Sequence, residues 1–119
     1  MTSHGTARMI RIHIGEDDRW EGRPLHDAIV DEARRQQMAG AIVYRGIESY
    51  GASSRIHRKH LLTSDDLPIV ICLIDERAKI EGFLPALERM VAEGLIAVSD
   101  VETFRYTPSD GDAHGEPQS

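Results

Sequence analysis

The densest chemistry in the chain lies in one stretch, Arg45-Gly46-Ile47-Glu48-Ser49-Tyr50-Gly51-Ala52-Ser53-Ser54-Arg55-Ile56-His57-Arg58-Lys59-His60. From Gly51 to Ser64 it carries three bases and no acid, in a chain with 20 acids against 14 lysines and arginines. Small residues let a backbone approach a ligand closely, and backbone N–H groups together with hydroxyls hold phosphate oxygens. Gly51, Ala52, Ser53 and Ser54 are therefore a candidate cradle for an anion. Arg55 adds a planar, two-pronged grip. The same residues equally describe a solvated loop whose charges keep it in water, and residue types alone leave both readings standing.

Other residues need weighing. His57 and His60 are three apart, but a zinc site needs about three protein ligands in tetrahedral reach. The chain has neither an HExxH helix nor a second cysteine. Solvated or loop-packing histidines are the simpler expectation. Glu16, Asp17 and Asp18 form an acidic turn ahead of a helix, where carboxylates could coordinate Mg²⁺ on a nucleotide. Acids there also stabilise a helix dipole, which is the plainer role for Asp17 and Asp18. Glu16 follows a strand directly and is the acid best placed to face a site at the strand end. Trp20 could stack on a base, although a lone tryptophan in a polar turn more often pins a loop to the core. Cys72 sits in an apolar run and behaves as a small hydrophobe. No GxSxG, P-loop, GxGxxG or CxxC occurs, and nothing sets a nucleophile beside a base. The expectation is a protein that is not an enzyme. The one enzymatic arrangement to weigh pairs Glu16 with His57 in acid–base work on a phosphorylated substrate.

At 119 residues, 40 % hydrophobic and 29 % charged, the chain has the balance of one ordinary domain. A net charge of −6 argues against a protein that lives on bulk nucleic acid. One cysteine excludes a disulfide scaffold and fits a reducing compartment. The longest apolar run, Ile69 to Ile74, falls far short of the ~20 residues that span a bilayer, and Met1 to Ala7 lacks the apolar centre of a signal peptide. A cytoplasmic protein with no membrane insertion and no nucleic-acid partner is expected.

The elements that must position these residues follow from periodicity. Ile10, Ile12 and Ile14 alternate with Arg11 and His13, a half-buried strand ended by Gly15. Pro24 opens a helix whose Leu25, Ala28, Ile29 and Ala33 share a face, with Gly40 as its stop. Ala41 to Tyr44 begins a second strand that runs to about Glu48. Pro68 to Ile74 is apolar on both faces, as a central strand would be. Asp75 then caps a helix with Ile80, Leu84, Leu87 and Val91 on one face, and Pro85 inside it predicts a kink there or a break near Gly82. Gly94 stops that helix. Leu95 to Val98, a turn at Ser99-Asp100 and an edge strand from Val101 to Tyr106 complete the chain. Residues 1–7 and 107–119 are expected to be disordered, leaving one domain over 8–106 with a long loop at 51–67 between strands two and three. Each half is strand, helix, Gly, strand. Two such units predict an α+β, ferredoxin-like βαββαβ sandwich: an antiparallel sheet with two helices on one face. The other face is left open and, if aliphatic, needs another subunit.

The stretches Ile14 to Ala33, Ala39 to His57, Asp65 to Ile71, Lys79 to Leu95 and Asp100 to Tyr106 together resemble the PII-like (GlnB-like) domain-of-unknown-function family of small bacterial proteins. RGIESYGASSRIH, Arg45 to His57, is the most specific piece. The resemblance implies a homotrimer with nucleotides bound in clefts between subunits, at the base of the loop after strand two. It places Gly46, Gly51, Ala52, Ser53 and Ser54 in the ligand site, with Arg55, His57 and Glu16 beside them. The implied ligand is a small anion, first an adenine nucleotide with Mg²⁺. The implied partner is a protein target reached by the loop, with a membrane transporter or channel among the candidates. A metal-binding trimer of the same fold, using His57 and His60, and a ligand-free trimeric adaptor are the alternatives. The chain departs from PII proteins where they carry a Gly-Asp-Gly-Lys turn. Here Ala92-Glu93-Gly94-Leu95-Ile96 has no lysine. The only tyrosine near the loop is Tyr50, at its base rather than its tip. The resemblance therefore does not carry over ATP with 2-oxoglutarate, or uridylylation.

Overall fold

The structure is a computed structural model that describes residues 2–46 and 67–108. β1 (Thr2–Gly15) is followed by a small hairpin, β2 (Arg19–Trp20) and β3 (Arg23–Pro24), and by helix α1 (Leu25–Arg35). β4 (Ile42–Arg45), β5 (Pro68–Asp75), helix α2 (Arg77–Met90) and β6 (Leu95–Tyr106) complete the described chain. The main sheet has the order β4-β5-β1-β6, with every neighbouring pair antiparallel. This is the α+β, ferredoxin-like arrangement expected of two strand–helix–strand units.

β1 lies between β5 and β6, so both its edges are paired. Its two-residue period decides what lies above and below the sheet. Ile10, Ile12 and Ile14 face the helices with Ile69, Ile71 and Leu73 of β5, and all six are buried. Leu25, Ala28, Ile29 and Ala33 of α1 close over them, the face that the 3.6-residue period predicts. In α2 the buried side chains are Ile80, Phe83, Ala86, Leu87 and Met90. Phe83 falls outside the predicted stripe, yet is the largest fully buried side chain, whereas Leu84 and Val91 are half-buried at its margin. The helix runs unbroken through Pro85, so the expected break near Gly82 does not form. Pro85 is exposed, so the carbonyl left without its N–H partner lies on the solvent side, while Phe83 and Leu87 hold both flanks to the sheet.

Four expectations need correction. Helix α1 ends at Arg35 rather than near Gly40. Gln37 takes a left-handed φ of 60°, and the N–H groups of Gln37 and Met38 donate to the Arg34 and Ala33 carbonyls at 3.0 Å. This is the Schellman pattern built on a glutamine instead of a glycine. Lys79 Nζ reinforces it by donating to the Gln36 and Gln37 carbonyls at 3.2 Å. Second, Asp75 does not cap α2 in the usual way. Its carboxylate accepts from the adjacent Glu76 N–H and from Ala39 N–H, both at 2.8 Å, tying the α1–β4 connection to β5.

Third, Ser99-Asp100 is not a turn. β6 continues through it for 12 residues. Fourth, residues 2–7, expected to be disordered, form the outer part of β1, paired from Thr2↔Tyr106 to Ala7↔Val101. One interaction set explains both. Asp100 lies opposite Arg8, whose Nε donates to it at 2.9 Å, and Arg77 Nη2 lies 3.3 Å from the same carboxylate. An aspartate held this way stays in the strand. Beyond it the His4 and Phe104 rings stack across the strands, with centroids 4.4 Å apart. Thr107 and Pro108 carry no regular structure, and the rest of the 107–119 segment, like 47–66, lies outside the described residues.

Gly94, directly before β6, takes a φ of 158°, and an added Cβ there would come 2.6 Å from the His13 carbonyl oxygen. Gly82 is helical, with nothing within 4 Å of an added Cβ. In urea unfolding at fixed protein concentration, Gly82→Ala should raise stability by about 0.5–1 kcal/mol, and Gly94→Ala should lower it. The hydrogen bond from Arg8, followed by the charge of Arg77, holds the Asp100 carboxyl below the usual carboxylate range despite an opposing burial effect. Its contribution is therefore present above about pH 4 and lost as the pH falls further. At neutral pH, Arg8→Ala should speed amide exchange of Thr2 to Ala7 and their β6 partners while leaving Ile10 to Ile14 protected.

Candidate functional site

Three strand ends meet at the base of the 47–66 segment. The chain leaves the sheet after β4 at Gly46 and returns to it at Leu67, ahead of β5. Gly46 N–H donates to the Pro68 carbonyl at 2.7 Å, and Glu16 N–H donates to the Leu67 carbonyl at 2.8 Å. The end of β1 thus holds the returning strand while β5 holds the departing one. An added Cβ on Gly46 would lie 2.8 Å from Pro68 Cγ, so the close approach of the two strand ends favours glycine there. Arg45 Nη2 donates to Glu16 Oε2 at 2.5 Å, linking the β4 edge to the turn after β1.

The turn itself is built by its acids. Asp18 Oδ2 accepts from Gly15 N–H at 2.9 Å, and the Asp18 backbone N–H and carbonyl bond Gly15 and Leu25. Glu21 and Gly22 both take positive φ, the two-residue type I′ connection that joins β2 to β3. Trp20 packs half-buried against the core, so the tryptophan pins the hairpin and is not presented as a stacking platform. Glu16, Asp17 and Asp18 do not gather as a metal site. Among the described residues, no group of three or more His, Cys, Asp or Glu side chains could hold an ion.

Of the residues singled out from the sequence, Glu16 and Gly46 come together at this base. Gly51, Ala52, Ser53, Ser54, Arg55 and His57 lie outside the described residues, as does His60. Arg45 is a contributor that residue types did not single out. The signal for it was positional, a base at the last strand position before the Gly46 departure.

Two further features lie away from the base. A depression of about 190 Å³ is lined by Thr6, Ala7, Arg8, Arg77 and Asp100. Its two guanidiniums are both engaged by Asp100, and Arg77 also lies 3.6 Å from Glu81. It is an ion-pair network fastening α2 to the outer β1–β6 ribbon. The second feature is the sheet face away from the helices. Ile42 and Tyr44 of β4, Ile74 of β5 and Leu95 of β6 share it and are 57, 55, 43 and 60 % exposed. Residues directly opposite in an antiparallel pair share a face, so Arg11 and His13 of β1 belong to it too. Among the described residues, no helix is long and apolar enough to cross a membrane.

The Glu16–Arg45 pair is partly solvated, and such pairs contribute little to stability. Glu16→Gln should lower the urea-unfolding free energy by less than about 1 kcal/mol. A larger loss would make the pair a structural keystone of the loop base.

The comparisons with known proteins agree with this architecture. A protein of the UPF0166 group from Aquifex aeolicus is 37 % identical over 99 residues, covering 82 % of this chain and 92 % of that one. A UPF0166 protein from Methanocaldococcus jannaschii is 29 % identical over 100 residues, covering 83 % and 93 %. Among solved structures, CPII from Thiomonas intermedia K12, bound to ADP, AMP and acetate, aligns with a TM-score of 0.62 at 14 % identity, over 85 % of this chain and 91 % of that one. CPII is described as a nitrogen regulatory PII-like protein. A putative PII-like signaling protein from Thermus thermophilus aligns with a TM-score of 0.55 at 13 % identity, over 87 % and 92 %. At those identities the likeness is one of fold. The family model DUF190, described as "Uncharacterized ACR", matches residues 7–103. The chain therefore belongs to the DUF190 family and has a PII-like fold.

Proposed function

We propose that this protein is a trimeric PII-like regulator without enzymatic activity. It binds a small anionic ligand, first an adenine nucleotide, in clefts between subunits at the base of the 51–67 loop and signals to a partner protein through that loop. The observation that carries this reading is the loop base. The segment joins the sheet through Gly46 and Leu67, both hydrogen-bonded, beside an Arg45–Glu16 pair. Such a platform can pass a change at its base into the segment it anchors. The composition of the segment supports an anion, since Gly51 to Ser64 carries bases and no acid. The fold likeness to CPII, whose structure holds ADP and AMP, supports an adenine nucleotide. The apolar sheet face supports self-association, because exposed Ile42, Tyr44, Ile74 and Leu95 on one surface favour burial against another copy.

Signalling requires differential affinity. A ligand that binds two loop states equally shifts neither. Within this reading, Ser53, Ser54 and Arg55 hold the anion, while Gly51 and Ala52 let the backbone approach it. Mg²⁺ would arrive with the nucleotide phosphates, because the described acids do not form an ion site of their own.

The test is thermal stability of the full chain against AMP, ADP, ATP, cyclic nucleotides and bicarbonate, with and without Mg²⁺. A ligand at 100 times its dissociation constant should add about 2.7 kcal/mol. One nucleotide class should raise the melting temperature, and Arg55→Ala should abolish that shift without changing the melting temperature of the unliganded protein. A flat panel would overturn the nucleotide reading in favour of an adaptor. Unchanged affinity in Arg55→Ala would remove that residue from the site.

A further inference from the structure

The open sheet face has an unusual charge inventory. β1 and β4 contain no acid at all. The acids of β5 and β6 are Asp75, Asp100 and Glu102, whose register partners on β1 are Arg8, Arg8 and Thr6. All three therefore share the helix side with Ile10 and Ile12. Arg11 and His13 occupy the opposite side, next to each other at successive positions of the same face. The Arg11 Nη2 and His13 Nε2 atoms are 3.5 Å apart. Their neighbours in register are Cys72 and Val70 on β5, and Ala97 and Leu95 on β6. Tyr44 and Ile42 lie one strand further, opposite Val70 and Cys72. A guanidinium and an imidazole thus sit inside a ring of apolar and small side chains, with no carboxylate from the four strands on that face to meet them.

This arrangement is tolerable while water covers it. It becomes costly once another copy does, because a guanidinium cannot shed its charge and an unpaired buried ion is strongly disfavoured. A second copy using the same face brings another arginine and, from its four described strands, no acid. We propose that Arg11 and His13 form a binding site for a small oxyanion, which neutralises the face when copies of this chain associate through it. Arg11 supplies a planar pair of N–H donors suited to two oxygens of one anion. His13 supplies a ring N–H and, when protonated, a second positive charge. Burial, followed by the neighbouring Arg11 charge, lowers the His13 pKa. An anion between the two side chains would oppose the second of these effects. Among the described residues, the charged and titratable groups sharing the face near His13 are Arg11 on its own strand, Cys72 on β5 and Tyr44 on β4. β6 contributes Arg105 at the far end of the ribbon.

The proposal rests on self-association through this face, and its test separates the two. The full chain is compared by sedimentation equilibrium at pH 7 in potassium chloride alone and in chloride with inorganic phosphate at equal ionic strength. A phosphate concentration of about 5–10 mM is low enough to avoid the general strengthening of burial that concentrated phosphate causes. Phosphate should tighten assembly about tenfold or more, equivalent to about 1.4 kcal/mol. In Arg11→Gln the phosphate effect should vanish, and assembly in chloride should become tighter than in the wild type. Arg11 is exposed, so the variant is expected to fold, and its circular dichroism spectrum checks this. His13→Gln should weaken the phosphate effect and remove the loss of assembly that His13 protonation causes in chloride as the pH falls below about 6.5. A monomer in every condition would overturn the self-association reading, and this proposal with it. An assembled protein that ignores phosphate, or one whose Arg11→Gln variant responds as the wild type does, would overturn the anion site and leave self-association standing. AMP in place of inorganic phosphate distinguishes a free oxyanion from a nucleotide phosphate. A response to phosphate but not to AMP identifies a site sized for the small ion, and an equal response to AMP would overturn that assignment.

Discussion

Pairing of β1 on both edges is the constraint from which the rest of the structure follows. The strand sends Ile10, Ile12 and Ile14 to one side and Met9, Arg11 and His13 to the other, and the register with β5 and β6 fixes which side is which. A slip of one residue would turn Arg11 and His13 under the helices and the three isoleucines out. Ile69, Ile71 and Leu73 on β5 resist that slip from one edge, while Arg8 opposite Asp100 resists it from the other. Helices α1 and α2 then have one apolar surface to cover, and they cover it with Leu25, Ile29, Ile80, Phe83 and Leu87.

The same pairing has consequences at both ends of β1. At its C-terminal end, Gly15 and Glu16 hold the start of β5, so the place where the 47–66 segment is anchored is part of the most constrained strand in the molecule. A change at Glu16 or Gly46 is thereby connected to the core rather than to a free surface. At its N-terminal end, β1 outruns the helix layer, and its outer pairs with β6 are held by an ion network and a ring stack instead of a core. A two-stranded ribbon has little stability of its own in water. Its continuity with the central sheet through Arg8 and Asp100 is what keeps it ordered.

The uncovered face joins these elements to function. A sheet with helices on one side exposes its other side along its whole length, and here that side carries exposed aliphatic and aromatic side chains around a guanidinium and an imidazole. Self-association and anion binding are physically coupled on such a surface. Hydrophobic burial would favour pairing of two such faces, and unpaired charge would oppose it. The two proposed anion sites lie at different parts of this sheet, the loop base at its end and the Arg11–His13 pair on its open face.

Much of this was legible in the sequence, for local reasons. The alternation from Ile10 to Ile14, the i, i+3, i+4 spacing from Leu25 to Ala33 and the doubly apolar run from Ile69 to Ile74 each follow from a fixed side-chain period. Their order within two similar halves pointed to the fold class, and Glu16 could be placed at a strand end, whereas Gly46 entered the site only through the family resemblance. What the sequence could not determine depended on partners distant in the chain. Residues 2–7 look too polar to order, yet each meets a β6 residue far away along the chain. Asp100 reads as a turn residue until Arg8 and Arg77 are beside it. Gln37 ends a helix where a glycine was expected because Met38 and Lys79 complete the cap. The lack of strand acids on the open face is invisible in a net charge of −6, since only the pairing register sorts Asp75, Asp100 and Glu102 to one side and Arg11 and His13 to the other. Local periodicity determined the elements, while tertiary pairing decided which charges meet, because Coulomb and hydrogen-bond interactions depend on separation in space and not along the chain.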